Sequence, residues 1–197
     1  KTLSFIGTGN MGGALLAAAA RGMEPGSICI TDRVAAKAAA QAEAYGCRLA
    51  EDNTAAAAAG DYVMLCVKPQ VMPAVARELA PILKSARQAG RRQVIVTIAA
   101  GITMESLARM LDAEGEALPV IRLLPNTPAA VGEGLTLLSC RNVSQEETDE
   151  FCAMLAASGS IVPIEEHFID AAGVLNGCAP AFVYLFIEAM ADGGVAV

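Results

Sequence analysis

Histidine is almost absent from this sequence of 197 residues, which contains only His167. That scarcity leaves almost no room for histidine-based metal centres or for most acid–base pairs built on an imidazole. The six cysteines form no CxxC pair, and several lie inside apolar runs, as Cys29 does between Ile28 and Ile30. The sequence therefore predicts no metal site and no disulfide framework, and it favours a reduced protein in the cytoplasm.

Positive charge is also scarce, because 14 Lys and Arg stand against 21 Asp and Glu, for a net charge of −7. Nucleic-acid surfaces need clustered basic residues, and here they are scattered, so we expect no nucleic-acid partner. No apolar run approaches the ~20 residues of a membrane span, and no basic leader segment precedes the first apolar strand. We therefore expect a soluble protein that does not associate with membranes.

What the sequence does contain is an alternation of short β-branched runs with stretches rich in Ala and Leu. The predicted strands cover residues 2–6, 27–31, 61–67, 93–99, 118–124, 135–139 and 160–164. The predicted helices cover residues 10–21, 34–45, 53–59, about 70–86, 104–111, 145–157 and 179–197. Asp52 or Asn53 is the expected cap of the third helix, and Thr103 of the fifth.

This alternation predicts an α/β fold of Rossmann type over residues 1–163, with a doubly wound, mainly parallel sheet. From residue 164 onward the strand signals stop. The last helix has only Glu188 and Asp192 as charges, which indicates burial in a helical bundle or in a subunit interface. We therefore expect residues 164–197 to begin an all-α domain that is truncated here, because the sequence ends inside this helix.

The sequence Gly7-Thr8-Gly9-Asn10-Met11-Gly12 follows an apolar strand and opens a helix. This is the context that the GxGxxG dinucleotide-binding motif requires. Gly7 makes the turn, Gly9 lets the backbone approach a pyrophosphate, and Gly12 lets helix and strand pack closely. The first turn of the helix would then face the phosphates with its N–H groups and its positive dipole end. The pattern predicts a nicotinamide dinucleotide site.

The end of the second strand carries two residues that argue for different cofactors. Asp32 lies where a carboxylate bonds the ribose hydroxyls of NAD and repels a 2′-phosphate. Arg33 beside it would pair with that phosphate and so favour NADP. From the residues alone the choice stays open.

Five stretches together resemble the pyrroline-5-carboxylate reductase family, in order and spacing, along the whole chain. They are FIGTGNMGGAL (5–15), CVKPQVM (66–72), IAAG (98–101), RLLPNTPAAVGEG (122–134) and GCAPAFVYLFIEAMADGGV (177–195).

The resemblance implies a set of cofactor-binding residues. The expected pyrophosphate contacts are Ile6, Gly7, Thr8, Gly9, Asn10 and Met11. Arg33 matches the position near the adenosine 2′-phosphate, and Asn53 matches another cofactor contact. The segments expected to pass beneath the cofactor are Cys66, Val67, Lys68 and Pro69, and Ala99, Ala100 and Gly101. Since family members commonly prefer the phosphorylated cofactor, the resemblance favours NADP(H), with NAD(H) as the alternative.

The implied reaction is hydride transfer from NAD(P)H to the C=N bond of 1-pyrroline-5-carboxylate, giving L-proline in the last step of proline biosynthesis. A homodimer or larger homo-oligomer through the C-terminal helices is the implied assembly. The loop that clasps the substrate in the family would lie beyond Val197, so Asn126 and Asn176 are only weak candidates for catalytic residues. Residues 176–181 (NGCAPA) depart from the family's common SGSGPA, which we interpret as variation within the family.

Two alternatives remain. One is another imine or β-hydroxyacid oxidoreductase of the same fold, although β-hydroxyacid dehydrogenases place a Lys on the long helix and residues 176–197 contain none. The other is a dinucleotide-sensing module without turnover. Stretches that lie outside the cofactor motif, such as residues 125–128 (PNTP), weigh against a sensor.

Overall fold

The chain folds into an eight-stranded sheet covered by helices on both faces, in a computed structural model that describes residues 1–113 and 115–196. The strands are β1 (Leu3–Ile6), β2 (Ile28–Thr31), β3 (Arg48–Leu49), β4 (Tyr62–Leu65), β5 (Val94–Thr97), β6 (Val120–Leu124), β7 (Gly134–Arg141) and β8 (Gly159–Pro163). The helices are α1 (Asn10–Gly22), α2 (Ala35–Tyr45), α3 (Asn53–Ala59), α4 (Met72–Gln88), α5 (Met104–Met110), α6 (Gln145–Met154), α7 (Glu166–Gly173) and α8 (Ala179–Ala196). The predicted α/β fold is confirmed.

The strand order is β3-β2-β1-β4-β5-β6-β7-β8, and the first six strands of this order are parallel. The order reverses at β1, as it does in doubly wound Rossmann sheets. Alternation along β1 supplies both faces of the sheet: Phe5 belongs to the apolar cluster with Phe151 of α6, and Ile6 to the cluster with Leu79 of α4. Helices and strands therefore form one two-sided core.

Two features of the sheet were not predicted. β3 is a two-residue edge strand with exposed side chains, too short and too polar to leave a hydrophobic pattern. β7 runs antiparallel to β6, and β8 is parallel to β7. The connection 125–133 contains only a short 3₁₀ segment (Thr127–Val131), and a parallel crossover needs a dozen residues or more. A short connection therefore produces the antiparallel pair.

The two helix caps expected from the sequence are present. Asp52 caps α3 and Thr103 caps α5 through side-chain oxygens that accept from the N–H groups of Ala55 and Ser106. The predicted helix 145–157 ends earlier, at Met154, and a 3₁₀ turn (Ala156–Ser158) completes the path to β8.

Beyond β8 the chain is helical, and its first helix is anchored to the sheet by a buried cation. Arg122 of β6 is only 2% exposed. Its guanidinium lies 2.5 Å from Asp170 and 3.5 Å from Glu166, both on α7. Glu166 also accepts the N–H of Met104 at 2.6 Å, at the start of α5. These contacts compensate the burial of the Arg122 charge and fix α7 beside the sheet.

The last helix is not buried within its own chain, which leaves the subunit interface as the expected place for its apolar surface. Helix α8 has no buried residue, and a π-helical segment (Val174–Cys178) connects it to α7. The helical stretch Glu166–Ala196 is long and apolar enough, by length and composition alone, to cross a membrane. The expectation concerned uninterrupted apolar runs of about 20 residues, whereas this helix contains the charges of Glu188 and Asp192, and its length and composition alone do not place it in a membrane.

Candidate functional site

The ends of four neighbouring parallel strands form one edge at which the predicted cofactor segments meet. In the register of the sheet, Ile6 pairs with Thr31 on one side and with Leu65 on the other, and Leu65 pairs with Thr97. The segments that follow these four residues therefore leave the sheet side by side. Open α/β sheets bind their ligands in this crevice, at the carboxyl ends of the strands and where the strand order reverses.

The loop after β1 is built around close backbone contacts that exclude a side chain at two glycines. Gly7 has φ +95°, and a Cβ there would lie 2.7 Å from the carbonyl oxygen of Cys66. A Cβ on Gly12 would lie 2.5 Å from the carbonyl oxygen of Gly7. The loop can therefore be as tight as it is only because both residues lack side chains.

Gly9 has a different environment, since a Cβ built on it would meet no atom within 4 Å. It is the N-terminal cap residue of α1 and provides no side-chain hydrogen bond to the first turn. The first N–H groups of a helix have no partner within the helix. An open space in front of uncapped N–H groups fits a pyrophosphate, and the residues present here fit the dinucleotide that the motif predicts.

Asp32 and Arg33 lie at the end of β2, and their surroundings differ: Asp32 is hydrogen-bonded to the backbone, whereas Arg33 is exposed. The carboxylate of Asp32 accepts the N–H of Thr8 at 2.7 Å and the N–H of Val34 at 2.9 Å. Burial disfavours ionisation, but these N–H groups and the charge of Lys37 bring the pKa of Asp32 below its usual value. Arg33 is exposed and forms no ion pair within residues 1–113 and 115–196.

The segment after β4 passes directly under the glycine loop. A Cβ added at Gly12 would lie only 2.9 Å from the Cβ of Cys66. Burial raises the pKa of the Cys66 thiol to about 12. The thiol is therefore neutral and serves as a small packed group rather than as a nucleophile. The side chain of Val67 packs against Gly7, while Lys68 and Pro69 are exposed. The carbonyl of Lys68 accepts the N–H groups of Val71 and Met72 at the start of α4.

Two further predicted segments reach the same edge. After β5, Ala99 is buried, Ala100 is exposed, and Gly101 turns the chain with φ +73°. Asn53 opens α3, and its side-chain amide donates to Glu78 of α4 at 2.9 Å. All the cofactor-binding residues predicted from the sequence thus lie at or next to one edge of the sheet.

The two catalytic candidates, Asn126 and Asn176, contact each other just beyond β6, where the side-chain amide of Asn126 meets the backbone carbonyl of Asn176. Asn126 accepts the N–H of Leu135 at 2.9 Å and donates to the carbonyl of Asn176 at 3.4 Å. Asn176 is 6% exposed and donates to the carbonyls of Leu124 and Leu135. These hydrogen bonds fasten the π-helical segment to β6 and β7, so the observed contacts of both amides are structural.

Two side-chain interactions of this region could not be predicted from the sequence. The contact between Thr8 and Asp32 spans 24 positions and depends on the register of β1 against β2. The buried cluster of Arg122, Glu166 and Asp170 joins residues far apart in the chain. A charged residue within the apolar run of β6 was the one signal for this cluster in the sequence.

Comparison with known proteins gives the same picture over the whole chain. Residues 2–101 match the family model described as NADP oxidoreductase coenzyme F420-dependent, and residues 166–197 match pyrroline-5-carboxylate reductase dimerisation. The pyrroline-5-carboxylate reductase of Corynebacterium melassecola is 34% identical over 98% of this chain and 70% of its own length. That of Pseudomonas aeruginosa is 36% identical over 98% of this chain and 68% of its own length.

Solved structures agree with this relationship. A pyrroline-5-carboxylate reductase from Coxiella burnetii superposes with a TM-score of 0.89 at 29% identity, covering 100% of this chain and 71% of that one. The Plasmodium falciparum pyrroline carboxylate reductase, with NADP bound, has a TM-score of 0.78 at 26% identity over 99% and 69%. An imine reductase from Myxococcus stipitatus shares the fold at 19% identity, with a TM-score of 0.64 over 99% and 63%.

Proposed function

This chain belongs to the pyrroline-5-carboxylate reductase family, and we propose that the carboxyl edge of its sheet binds the NADPH that reduces the substrate imine. The reaction is NAD(P)H-dependent reduction of 1-pyrroline-5-carboxylate to L-proline, the last step of proline biosynthesis. One observation carries the assignment of the site: the register row Thr31, Ile6, Leu65 and Thr97 brings the predicted cofactor segments after β2, β1, β4 and β5 to one edge.

In this proposal the glycine loop and the first turn of α1 bind the pyrophosphate. Gly9 provides the open approach, and the N–H groups of Asn10, Met11 and Gly12 provide the donors. The loops after β4 and β5, with Val67 and Ala99, would lie beneath the nicotinamide half, since successive strands in the order β1-β4-β5 lead away from β2.

The choice of NADPH over NADH rests on Arg33 in this proposal. Its exposed guanidinium lies beside Val34, at the start of α2, where the adenosine end of a dinucleotide binds. A planar guanidinium can form two parallel hydrogen bonds to a phosphate. The NADP-bound relative from Plasmodium falciparum is consistent with this preference.

The chemical task of the site is mainly one of positioning. A bound nicotinamide would supply the hydride, and a protonated imine is electrophilic enough at its C=N carbon that the chain need not provide a strong general acid. The chain's residues then need to hold donor and acceptor in line and keep water out, which alone can supply a large share of a rate enhancement. The neutral thiol of Cys66 and the small side chain of Ala99 suit this role, because neither adds charge beneath the ring.

We further propose that the two C-terminal helices form the interface of a homodimer, with a domain boundary between residues 163 and 164. The match to the dimerisation family begins at residue 166, and α8 exposes apolar side chains around its whole circumference. A second subunit covering this surface explains its apolar character without a membrane. We place the enzyme in the cytoplasm, in line with its reduced cysteines and with the bacterial relatives.

The proposal is tested by mixing the purified protein with 1-pyrroline-5-carboxylate and either NADPH or NADH, and following cofactor absorbance and proline formation. We expect turnover with both cofactors and a lower Michaelis constant for NADPH. Tight cofactor binding without turnover would instead support a dinucleotide sensor. Oxidation of NADPH with other imines but not with this one would support a different imine reductase.

A further inference from the structure

The carboxylate of Asp32 is occupied on both sides by backbone N–H groups. Its Oδ2 accepts from Thr8 at 2.7 Å and lies 3.4 Å from the Thr8 hydroxyl, while its Oδ1 accepts from Val34 at 2.9 Å. Thr8 belongs to the glycine loop after β1, and Val34 is the N-terminal cap residue of α2. One short side chain at the end of β2 therefore connects the pyrophosphate loop to the start of the helix at the adenosine end.

The contact to Thr8 is one that the loop cannot easily give up. Thr8 has no exposed surface, and a buried N–H without an acceptor costs about 1–3 kcal/mol. Because this N–H points to Asp32, it is not available to a phosphate. The donors that remain for the pyrophosphate are those from Gly9 onward, in front of the open space at Gly9.

A carboxylate that selects NAD works differently, since it accepts hydrogen bonds from the ribose hydroxyls and repels a 2′-phosphate. Here each oxygen of Asp32 already has a backbone donor. Two exposed cations, Arg33 and Lys37, lie on the same short segment, and Lys37 is close enough to stabilise the charge of Asp32. The carboxylate of Asp32 therefore holds the backbone of the loop and of α2, while the exposed charges of this segment, Arg33 and Lys37, are positive.

We propose that Asp32 is a positioning residue that fixes the pyrophosphate loop against the start of α2 and takes no part in the choice between NADPH and NADH. Loss of its carboxylate loosens a loop that both cofactors use, so both must bind more weakly. The proposal rests on the proposed function only for the identity of the cofactor. It concerns binding, so it can be tested without the imine substrate.

The test is a titration of NADPH and of NADH into the full-length protein, followed by the fluorescence of the reduced nicotinamide. For Asp32→Ala we expect both dissociation constants to rise about tenfold, the size expected for loss of a charge-assisted hydrogen bond. Their ratio should stay within about twofold of the wild-type ratio. Asp32→Asn keeps one acceptor oxygen for Thr8, so we expect a smaller rise that is again equal for both cofactors.

The matched control is Asp61→Ala. Asp61 accepts the N–H of Thr2 at 2.9 Å, the same kind of contact but at the opposite end of β1. This variant should lower the melting temperature and leave both dissociation constants unchanged.

Three results would overturn the proposal: a selective loss of NADH binding in Asp32→Ala, no change for either cofactor, or an equal loss of binding in Asp61→Ala. A protein that binds both cofactors as expected but does not reduce the imine would refute the reductase function and leave the role of Asp32 intact.

Discussion

At the scale of single residues, two glycines of the same loop have opposite surroundings, and the difference can be measured. A Cβ on Gly12 would lie 2.5 Å from the carbonyl oxygen of Gly7, whereas a Cβ on Gly9 meets no atom within 4 Å. Gly9 also has φ −61°, which any residue can adopt. We therefore expect Gly9→Ala to fold normally and bind cofactor poorly, and Gly12→Ala to be less stable.

Thermal unfolding and cofactor titration of the two variants separate these effects. Gly12→Ala should cost about 1–3 kcal/mol, the usual cost of overpacking, and lower the melting temperature by several degrees. Gly9→Ala should melt within about 2 °C of the wild type, since a change of about 0.5 kcal/mol or less moves the melting temperature of a domain of this size by no more than that. If Gly9→Ala bound NADPH as tightly as the wild type, the pyrophosphate would not lie at Gly9.

Arg33 provides the second prediction at this scale. Arg33→Ser removes the cation proposed to meet the 2′-phosphate, so the Michaelis constant for NADPH should rise about tenfold while that for NADH changes little. Steady-state kinetics with both cofactors measures this directly. Arg48→Ser is a suitable control, because Arg48 is also exposed but lies on the edge strand β3. Equal effects of Arg33→Ser on both cofactors would show that Arg33 does not contact the phosphate.

The residues that could be predicted from the sequence are those whose positions follow from a rule about strand ends. The segments beginning at Gly7, Cys66 and Ala99 each follow an apolar strand, and parallel strands bring such segments together. The role of Asp32 could not be predicted, because its partner Thr8 is set by the register of two strands. Sequence position alone suggested the ribose as its partner instead.

At the scale of helices and strands, α6 begins with a capping box whose acid is strongly perturbed. Ser144 and Glu147 exchange side-chain and backbone hydrogen bonds, and Glu147 also pairs with Arg92. The Arg92 hydrogen bond, opposed by partial burial and assisted by Ser144, lowers the pKa of Glu147 to about 2. Because this pKa lies below the ordinary value of about 4.3, the ionised acid stabilises the fold above pH 4.3, and the stabilisation is lost as the pH falls toward 2.

We therefore expect the difference in free energy of unfolding between wild type and Glu147→Gln to be about 1 kcal/mol at pH 7, since Arg92 is half exposed. Denaturant unfolding at pH 7, 4, 3 and 2.5 should show the difference shrinking mainly below pH 4.3. Comparison of the two proteins cancels most of the other carboxylates that titrate in this range. A constant difference from pH 7 to 2.5 would mean that the ion pair does not stabilise α6.

The elements themselves were predictable where hydrophobic pattern and caps agree. The strand ending at Ile6, the cap at Thr103 and the cap at Asp52 appear in the structure as expected. The prediction did not extend to β3 or to the direction of β7. β3 presents two exposed residues without periodicity, and β7 owes its direction to the length of a loop rather than to its own residues.

At the scale of the whole molecule, the main feature is that the apolar surface of α8 is not covered by any other part of the described chain. Phe182 and Phe186 lie one helical turn apart and are 68% and 66% exposed. Apolar surface of this extent marks an interface in most proteins. We expect the double variant Phe182→Asp, Phe186→Asp to be monomeric, because two charges at a dimer interface would be buried without partners.

Light scattering at micromolar concentration tests this expectation, with wild type as the reference dimer or larger oligomer. Leu49→Asp is the matched control. Leu49 is also apolar and 50% exposed, but it lies on β3, at the edge of the sheet opposite β8. A monomeric wild-type protein would contradict the assignment of α8 to the subunit interface, and so would an unchanged mass of the double variant.

The central claim, that the carboxyl edge of the sheet brings a nicotinamide to the C=N bond of 1-pyrroline-5-carboxylate, is tested most directly by following the hydride itself. The protein is given NADPH deuterated at the transferable C4 position together with the imine, and the product is examined by mass spectrometry and NMR. We predict L-proline with one deuterium on the ring carbon next to nitrogen that does not bear the carboxylate. Proline without deuterium at that carbon, or no proline despite bound cofactor, would contradict the account.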